Sequence, residues 1–456
     1  MAGTVAANRA AELGLSVALL ERGSGATYPC NSRYSGGILH IAFRNVKDSA
    51  ASLLEAVGTA TGDEADPRVA QALVATGRRA VDWLQAAGAK FMRVGNIVWQ
   101  QWVLAPPRSL TPGLEWKGRG PDVALRTLVE RLVQRGGKFY LDTTAHALLD
   151  KNGRCVGVEA LSAGSQVQFH APAVIIADGG FQANLDLVRS HISPRPESVM
   201  QRGASTGHGD GLRMARALGA AVTDLKCFYG HLLSRDSFTN PKVWPYPQLD
   251  ELGTSGMVVD KHAQRIADEG LGGVYMANMI ARLADPLSCF ALFDENIWQG
   301  PGKTARIPAN PNLIKGGGTV YSAPDLTGLA QQMGIAADKL AQTVKNYNAA
   351  FHAGTLSQLA PLRSSTVIPA CAIEQSPFYA IPLCAGITYT MGGMVTDGDG
   401  CVLKPDGAVV PGLYAAGVTA GGLEGGSMAG YVGGLIQAAV FGLRSAEHAA
   451  RNINSN

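Results

Sequence analysis

The chain twice repeats one arrangement, in which a meander of short β-strands leads into an apolar strand that ends at glycine. In the first copy, Lys151-Asn152-Gly153-Arg154 is a hairpin signal between alternating segments at 145–149 and 155–161. The apolar run 173–177 then ends at Gly179-Gly180. In the second copy, strands and turns follow in the same order at 394–396, 397–400, 401–403, 405–407 and 412–417. Fully apolar strands of this kind favour a buried parallel sheet, so the pattern predicts an α/β fold of the nucleotide-binding type.

The first twenty-one residues read as a helix followed by a buried strand. Apolar residues between positions 5 and 13 recur at helical spacing, and the apolar run 16–21 ends in Glu21. A dinucleotide site requires a strand, a glycine-rich turn, a helix and an acid that binds ribose. Gly3 can be only the last glycine of a G-x-G-x-x-G motif, and Glu21 follows it by 18 residues. The first strand and the first two glycines of such a motif are therefore expected to be missing.

Composition excludes several classes of protein. The 456 residues are 46% hydrophobic and 16% charged, which predicts two or three folded domains and excludes extensive disorder. The net charge of +3 comes without a basic block, so no nucleic acid partner is expected. The seven cysteines include no C-x-x-C pair, which argues against disulfides or a metal site and favours a reducing compartment.

A membrane segment is also not expected. Residues 425–443 are uncharged and long enough to be tested as a span, but they contain six glycines together with Ser427 and Gln437. The first residues do not show the basic region followed by an apolar region that is typical of a secretory signal. The sequence therefore predicts a cytoplasmic protein without membrane insertion.

Composition changes in the middle of the chain, where aromatic residues, prolines and polar residues become frequent. Helical patterns occur there at 326–333 and 338–353. We interpret this part as an α+β capping domain inserted into a Rossmann-like domain with β-meanders. The predicted boundaries are 1–222 for the first part of the nucleotide-binding domain, 223–363 for the cap, and 364–456 for the second part.

Five ordered segments resemble the fumarate reductase/succinate dehydrogenase flavoprotein superfamily. They cover nearly the whole chain and are LLER with NSRYSGG (19–37), VIIADGGF (174–181), TGHGDGLRMARA (206–217), SPFYAIPLCAGITYTMGG (376–393) and GLYAAGVTAGGLEGGSMAGYVGGLIQAAVF (412–441). The resemblance implies an FAD domain with catalysis in the cleft beneath the cap. Non-covalent FAD is favoured over covalent FAD, because the segment 31–37 has no histidine.

The resemblance also implies which residues contact FAD. Glu21 can accept the ribose hydroxyls, while the serines and glycines of 31–37 offer hydroxyl and backbone N–H groups to the pyrophosphate. Gly426, Gly430 and Gly434 recur every fourth residue, which predicts one bare helical face whose start lies beneath the flavin ring. The predicted cofactor-binding residues are Gly3, Glu21, Arg22, Asn31, Ser32, Ser35, Gly36, Gly37, Ala145, Ala177, Gly179, Thr206, Asp210, Gly417, Ser427, Gly430 and Val432.

The sequence departs from the fumarate-specific pattern at three positions. Trp298 stands near the place of the proton-donating arginine, Thr388-Tyr389-Thr390 replaces a segment that usually carries histidine, and Ser427-Met428 replaces asparagine-arginine. His231 and Glu269 remain as apparent matches. These changes predict a substrate other than fumarate, either less anionic or differently shaped.

The segment around Tyr389 looks more like tricarballylate dehydrogenase-like flavoproteins, and a tyrosine in this role is similar to the 3-ketosteroid dehydrogenases. Hydride exchange with a flavin needs a group that handles a proton on the adjacent carbon and a group that stabilises an enolate-like oxygen. The candidate catalytic residues are Tyr389, His231, Glu269, Tyr431 and Glu424.

The resulting hypothesis is an FAD-dependent oxidoreductase that adds or removes hydrogen across a C–C bond next to a carbonyl or carboxylate. It implies a small-molecule substrate and an electron donor or acceptor that the sequence leaves open. A second G-x-G-x-x-G for NAD(P)H is not evident. The alternative is an N-terminally truncated, inactive or cofactor-free binding protein.

Overall fold

The computed structural model describes residues 1–365 and 368–455. Its helices are α1 (Ala2–Glu12), α2 (Asn31–Tyr34), α3 (Ala50–Thr61), α4 (Pro67–Ala86), α5 (Gly120–Gln134), α6 (Leu185–His191), α7 (Asp210–Ala217), α8 (Asp250–Ser255), α9 (Gly273–Ala281), α10 (Glu295–Gln299), α11 (Ala309–Lys315), α12 (Leu326–Met333), α13 (Ala337–Ala353) and α14 (Gly434–Asn454). The strands are β1 (Ala18–Leu20), β2 (Phe91–Met92), β3 (Val103–Leu104), β4 (Lys138–Tyr140), β5 (Thr143–Lys151), β6 (Arg154–Ser162), β7 (Ser165–His170), β8 (Val174–Ile176), β9 (Met200–Gln201), β10 (Phe228–Ser234), β11 (Met257–Val259), β12 (Phe290–Asp294), β13 (Tyr321–Ala323), β14 (Phe378–Thr390), β15 (Cys401–Leu403) and β16 (Val409–Ala415). The predicted α/β class is confirmed.

Both predicted meanders are present. β5, β6 and β7 form an antiparallel sheet, and the β5–β6 turn has positive φ at Asn152 (56°) and Gly153 (76°). These angles suit the two-residue hairpin that the Asn-Gly pair predicts. In the second copy, β15 pairs with β16, which in turn pairs in parallel with β8 at Leu413↔Val174. The two apolar strands that end at glycine therefore lie side by side.

The parallel sheet is divided into two pieces. Among the described residues, β1 pairs in parallel with β4, whereas β8 belongs to the separate sheet β15-β16-β8. α1 packs against α14 and α5, and α14 also contacts α4. This layer buries apolar side chains such as Val5, Leu73 and Val440 in one core.

The middle of the chain forms a second sheet with its own core. The strand order is β10-β14-β12-β11, and β9 and β13 also pair with β14. β14 was assigned by sequence to the second FAD-binding part (364–456), but it pairs on both sides with strands of the middle segment. Its residues are almost all buried because neighbours cover both edges and both faces. The polypeptide therefore leaves the middle sheet only after Thr390.

The uncharged segment 425–443 does not form one continuous helix, because α14 begins at Gly434. None of the helices within the described ranges combines the length and apolar character that crossing a bilayer requires. Across the same residues, no group of histidine, cysteine or acidic side chains is arranged to hold a metal ion.

Candidate active site

A large cavity lies where the α1 layer meets the middle sheet. Its volume is about 1870 Å³, whereas small-ligand pockets usually measure about 300–1,000 Å³. Part of the excess runs along β1 and β8, since residues of both strands line the cavity. Of the predicted catalytic residues, His231, Tyr389 and Tyr431 line it. The predicted cofactor-binding residues that line it are Gly3, Glu21, Arg22, Asn31, Ser32, Ser35, Gly36, Gly37, Ala145, Ala177, Gly179, Thr206, Asp210, Gly417 and Gly430.

The N-terminus of α1 opens onto this cavity beside the end of β1. No side chain of the described residues caps the helix, so its first N–H groups are available to an anion. The start of the helix packs between Leu19 of β1 and Ala177 just after β8, since a Cβ on Gly3 would lie 3.5 and 3.4 Å from their side chains, in ordinary van der Waals contact. At the end of β1, the Glu21 carboxylate accepts a hydrogen bond from the Gly23 N–H at 2.8 Å, and burial raises its pKa. The helix end and the acid suit the pyrophosphate and ribose of a dinucleotide.

The loop after β1 is held by its own polar groups. Ser35 Oγ donates to the Ser32 carbonyl at 2.7 Å and accepts from the Gly37 N–H at 3.3 Å. Asn31 Nδ2 donates to the Thr388 carbonyl at 2.9 Å, and Asn31 Oδ1 accepts from the Ala204 N–H at 2.6 Å. Asn31 therefore connects this loop to β14.

Two predicted cofactor contacts bind each other. Arg22 Nη1 donates to Asp210 Oδ2 at 3.0 Å and to the Thr206 carbonyl at 3.1 Å. Asp210 is the first residue of α7, following Gly209. The ion pair joins the end of β1 to the start of α7 at the cavity wall, which fixes the position of both segments.

Three tyrosines form a stacked cluster in the cavity wall. The rings of Tyr229 and Tyr431 are stacked, with centroids 4.1 Å apart, and the centroid of Tyr389 lies 5.2 Å from that of Tyr229. The Tyr389 hydroxyl donates to Glu424 Oε2 at 2.9 Å. Burial, followed by the nearby Glu424 charge, holds the pKa of Tyr389 well above its ordinary value. Tyr389 is therefore a neutral hydroxyl with a carboxylate behind it.

A second polar chain begins at Tyr229. His231 Nε2 accepts from the Tyr229 hydroxyl at 3.0 Å, and His231 Nδ1 donates to the carboxylate of Asp250. Burial lowers the pKa of His231, and it raises that of the Tyr229 hydroxyl. Next to Asp250, burial and the charge of its neighbour raise the pKa of Glu251 to about 7. The arrangement can move a proton between a cavity hydroxyl and a carboxylate.

The predicted row of glycines is wrong as a helical face. Gly426 and Gly430 precede α14, and Gly425 and Gly430 form an antiparallel bridge. Gly426 has φ +70°, a conformation that glycine adopts readily and an α-helix excludes. The four-residue spacing therefore does not come from a helix. Gly426 and Gly430 lie in a loop, where Gly426 is needed for its positive φ.

The Glu424 carboxyl group binds the backbone just before α14. Its Oε1 accepts from the N–H groups of Val432 and Gly433, each at 2.8 Å, while Oε2 accepts from Gln437 at 3.1 Å and from Tyr389. A carboxylate at a helix N-terminus satisfies free N–H groups and offsets the helix dipole. Val432 and Glu424 are not among the cavity-lining residues; they support Tyr389 from behind.

Two other predicted residues lie away from the cavity. Glu269 is fully buried and accepts from Arg265 Nε and from the Val258 N–H, each at 3.1 Å, with Arg363 at 4.0 Å. Buried acids of this kind hold strands and loops together, and the structure does not bring Glu269 to the reaction cleft. Ser427 donates through its N–H to Glu64 at 3.0 Å, outside the cavity lining.

Several cavity residues were missed by sequence reasoning. Tyr229 was noticed only as a neighbour of His231, although the alternation of β10 places both side chains on one face. Trp298, which was compared with a proton-donating arginine, is instead buried against Phe293 and Tyr379 outside the cavity. The other missed lining residues include Arg108, Arg202, Tyr246, Glu251 and Arg306. They come from separate segments, so no local motif identifies them.

Comparison with known proteins gives consistent matches. The model of the FAD binding domain family matches residues 1–431. The chain is 25% identical to vinyl phenol reductase of Lactiplantibacillus plantarum over 99% of this chain and 94% of that protein. It is 26% identical to NADH:acrylate oxidoreductase of Vibrio harveyi, over 79% of this chain but 34% of that protein. It is 27% identical to 4-oxocyclohexanecarboxylate 2-dehydrogenase of Sinomonas cyclohexanicum, over 78% of this chain and 57% of that protein.

Solved structures show the same fold. The 3-ketosteroid Δ1-dehydrogenase of Sterolibacterium denitrificans superimposes with a TM-score of 0.73 at 20% identity, covering 99% of this chain and 98% of that one. A flavocytochrome c3 fumarate reductase in an open conformation gives 0.67 at 21% identity, covering 99% and 76%. The chain thus spans the full length of one of these structures and about three quarters of the other.

Proposed function

This chain belongs to the FAD binding domain family, and from that membership we propose that it is an FAD-dependent oxidoreductase acting on a C–C bond next to a carbonyl or carboxylate. Two relatives are named for compounds with such bonds, acrylate and 4-oxocyclohexanecarboxylate. A third is named for vinyl phenol, whose C=C bond adjoins an aromatic ring. The observation that carries the proposal is the juxtaposition, in one cavity, of a dinucleotide cradle and a cluster of neutral tyrosines. The substrate is a small molecule other than fumarate.

The residues present fit FAD. The uncapped N-terminus of α1 would face the pyrophosphate, and the Glu21 carboxylate would accept hydrogen bonds from the ribose hydroxyls. The hydroxyl and backbone N–H groups of residues 32–37 would bind the rest of the cofactor. Gly417, which also lines the cavity, permits backbone approach from the second part of the chain. When bound, FAD supplies hydride exchange with a substrate carbon. We propose non-covalent attachment in preference to covalent attachment, because residues 31–37 contain no histidine.

Tyr389 handles the proton on the carbon adjacent to the hydride-exchanging carbon. Its raised pKa keeps the hydroxyl protonated, which suits donation to a carbanion-like carbon during reduction. Glu424 orients that hydroxyl through the bond from Tyr389, and its own bonds to Val432 and Gly433 hold it in place. In the reverse direction the same hydroxyl, once deprotonated, accepts the proton.

Tyr229 stabilises the oxygen of the substrate's carbonyl or carboxylate group. Its neutral hydroxyl can donate to a carbonyl oxygen that gains negative charge, which is the largest source of stabilisation in many such reactions. His231 accepts from Tyr229 and is held by Asp250, so a proton displaced from Tyr229 has a path away from the cavity. Tyr431 stacks on Tyr229 and limits its movement.

The middle sheet is the cap in this proposal, and it includes β14. β14 carries Tyr389 near its end and pairs with β10, which carries Tyr229 and His231. The register Tyr229↔Tyr389 places the two hydroxyl-bearing residues opposite each other on adjacent strands. A single cap sheet therefore presents both proton-handling groups to the FAD side.

The test is anaerobic reoxidation. Purified holoprotein is reduced with dithionite-reduced methyl viologen and mixed with a panel of α,β-unsaturated carboxylates, enones and 4-vinylphenol, and flavin absorbance is followed. The proposal predicts that at least one compound restores the oxidised spectrum with formation of its saturated product. A protein that holds FAD but is reoxidised by no member of the panel contradicts the reaction class. A protein that holds no FAD supports the alternative of a binding protein.

A further inference from the structure

Three arginines from distant segments line the cavity near one aromatic ring, that of Tyr246. Arg108 lies in the loop after β3, Arg202 follows β9, and Arg306 precedes α11. The guanidinium of Arg108 lies 4.1 Å from the centre of the Tyr246 ring and that of Arg202 lies 5.5 Å from it. The charges of Arg202 and Arg306, after burial, contribute to lowering the pKa of Arg108. All four residues line the cavity.

These guanidinium groups have no acidic partner among the described residues, although Arg108 and Arg202 are each only 6% exposed. Buried nitrogens without a hydrogen bond include Arg108 Nε and Nη1, Arg202 Nε and Arg306 Nε. Buried charges in folded proteins are ordinarily paired, because desolvation is costly. Two other buried arginines of this chain are paired, Arg33 with Asp122 at 3.2 Å and Arg265 with Glu269. The arginines at Tyr246 are therefore positioned for an anion from outside the chain.

The cluster lies beside the proton-handling tyrosines. Arg202 Nη1 donates to Thr388 Oγ1 at 2.7 Å, immediately before Tyr389. Burial has the largest effect on the pKa values of Tyr229 and His231, and the Arg202 charge also acts on both, lowering each pKa. Arg306 Nη1 lies 4.0 Å from the position that a Cβ on Gly36 would take, on the predicted FAD side. An anion held here would have its neighbouring carbons within the reaction cleft.

We propose that Arg108, Arg202 and Arg306 form the subsite that binds the carboxylate of the substrate. Guanidinium groups bind carboxylates through charge-assisted and often bidentate hydrogen bonds, which the free nitrogens can supply. The inference rests on the proposed function and names its substrate class as an unsaturated carboxylate. Of the two alternatives that the loss of the fumarate-specific positions leaves open, it favours a differently shaped substrate over a less anionic one, because arginines from other segments line the cleft.

The surroundings indicate what else the ligand carries. On the other side of the tyrosine cluster, Tyr431 lies edge-on to His40 and tilted against Phe43, with ring centroids 5.6 and 5.7 Å apart, and Trp99 packs on both. A cleft with cations at one end and aromatic rings at the other suits a planar carboxylate with a ring. We therefore choose 4-hydroxycinnamate as the probe and 4-vinylphenol, which lacks only the carboxylate, as its neutral partner.

The experiment measures equilibrium binding of both probes to the oxidised holoprotein through perturbation of the flavin spectrum. Arg108→Gln, Arg202→Gln and Arg306→Gln are compared with Arg235→Gln, a partly buried arginine outside the cavity lining. The wild type should bind 4-hydroxycinnamate at least about 10-fold more tightly than 4-vinylphenol. Each cavity variant should weaken the acid by about 10–100-fold and the neutral probe by less than about threefold. Arg235→Gln should leave both affinities unchanged.

Two results overturn the subsite. An acid that binds no better than 4-vinylphenol, or not at all, shows that the arginines do not receive a carboxylate. Variants that lose affinity for FAD, measured by fluorescence of released flavin, while keeping the preference for the acid show that the arginines serve the cofactor. Failure of the proposed function is distinct, because it appears as wild-type protein without FAD or without reoxidation by any compound.

Discussion

Replacing Tyr389 by phenylalanine removes one hydroxyl and leaves the ring in place. The Glu424 carboxylate then retains its bonds to Val432, Gly433 and Gln437. The lost bond, 2.9 Å long and made to a carboxyl group whose pKa is raised by burial, stabilises the fold by about 0.5–3 kcal/mol. The protein should therefore remain folded and keep FAD. Loss of a proton donor should slow the reaction about 10²–10⁴-fold, or about 3–5 kcal/mol in activation free energy.

The assay is single-turnover reoxidation of the reduced holoprotein by whichever compound reacts fastest with the wild type. Tyr379→Phe is a matched control, because Tyr379 also donates to a glutamate, Glu295, at 2.6 Å but lies outside the cavity lining. Its rate should stay within about threefold of wild type, below any general acid effect. A Tyr389→Phe protein that reacts at the wild-type rate would refute the reasoning. So would an equal loss in both variants, since a general structural effect would then explain it.

Three further predictions concern FAD binding, acid stability and a buried ion pair. Glu21→Gln should weaken FAD about 10-fold or more in a fluorescence titration, because a charge-assisted ribose contact is lost; an unchanged affinity would exclude that contact. Burial lowers the pKa of His40 to about 4 from 6.5, so below pH 6.5 the unfolded protein binds a proton that the folded protein does not. The free energy of unfolding should therefore fall by about 3 kcal/mol between pH 6.5 and 4 and be unaffected by His40 above pH 6.5. Urea unfolding at several pH values should show this slope in wild type and a shallower one in His40→Gln, and identical slopes would contradict it. Glu269→Gln should destabilise by about 3–5 kcal/mol in the same assay, because the buried Arg265 charge is left without its partner; a change below about 1 kcal/mol would show that Glu269 has another role.

Much of the fold could be predicted from the sequence because the relevant signals are local. The Asn152-Gly153 turn, the amphipathic helices and the apolar strands that end at glycine each specify their structure within about twenty residues. β14 lies within the predicted second FAD-binding part (364–456), but it pairs with β10 and β12, which lie far away in the chain within the predicted cap. Its apolar character predicts a buried strand but not which sheet contains it.

The site was predicted less completely for the same physical reason. Glu21 and the serines of the loop after β1 belong to one segment whose pattern suggests its chemistry. Arg108, Arg202 and Arg306 are more than 90 residues apart in the chain, and only the tertiary fold brings them into the cavity that Tyr246 also lines. Glu269 retains a family-like position in the sequence, yet its function depends on whether Arg265 faces it, which a linear pattern does not reveal.

The most direct test of the central claim is the flavin content of the purified protein. Its visible absorption spectrum is recorded, the protein is precipitated with acid, and the flavin in the supernatant is identified and counted against protein. We predict a flavin spectrum and FAD released by acid at close to one molecule per chain. A protein that remains colourless after incubation with added FAD would contradict the account, and flavin that stays in the precipitate would contradict non-covalent binding.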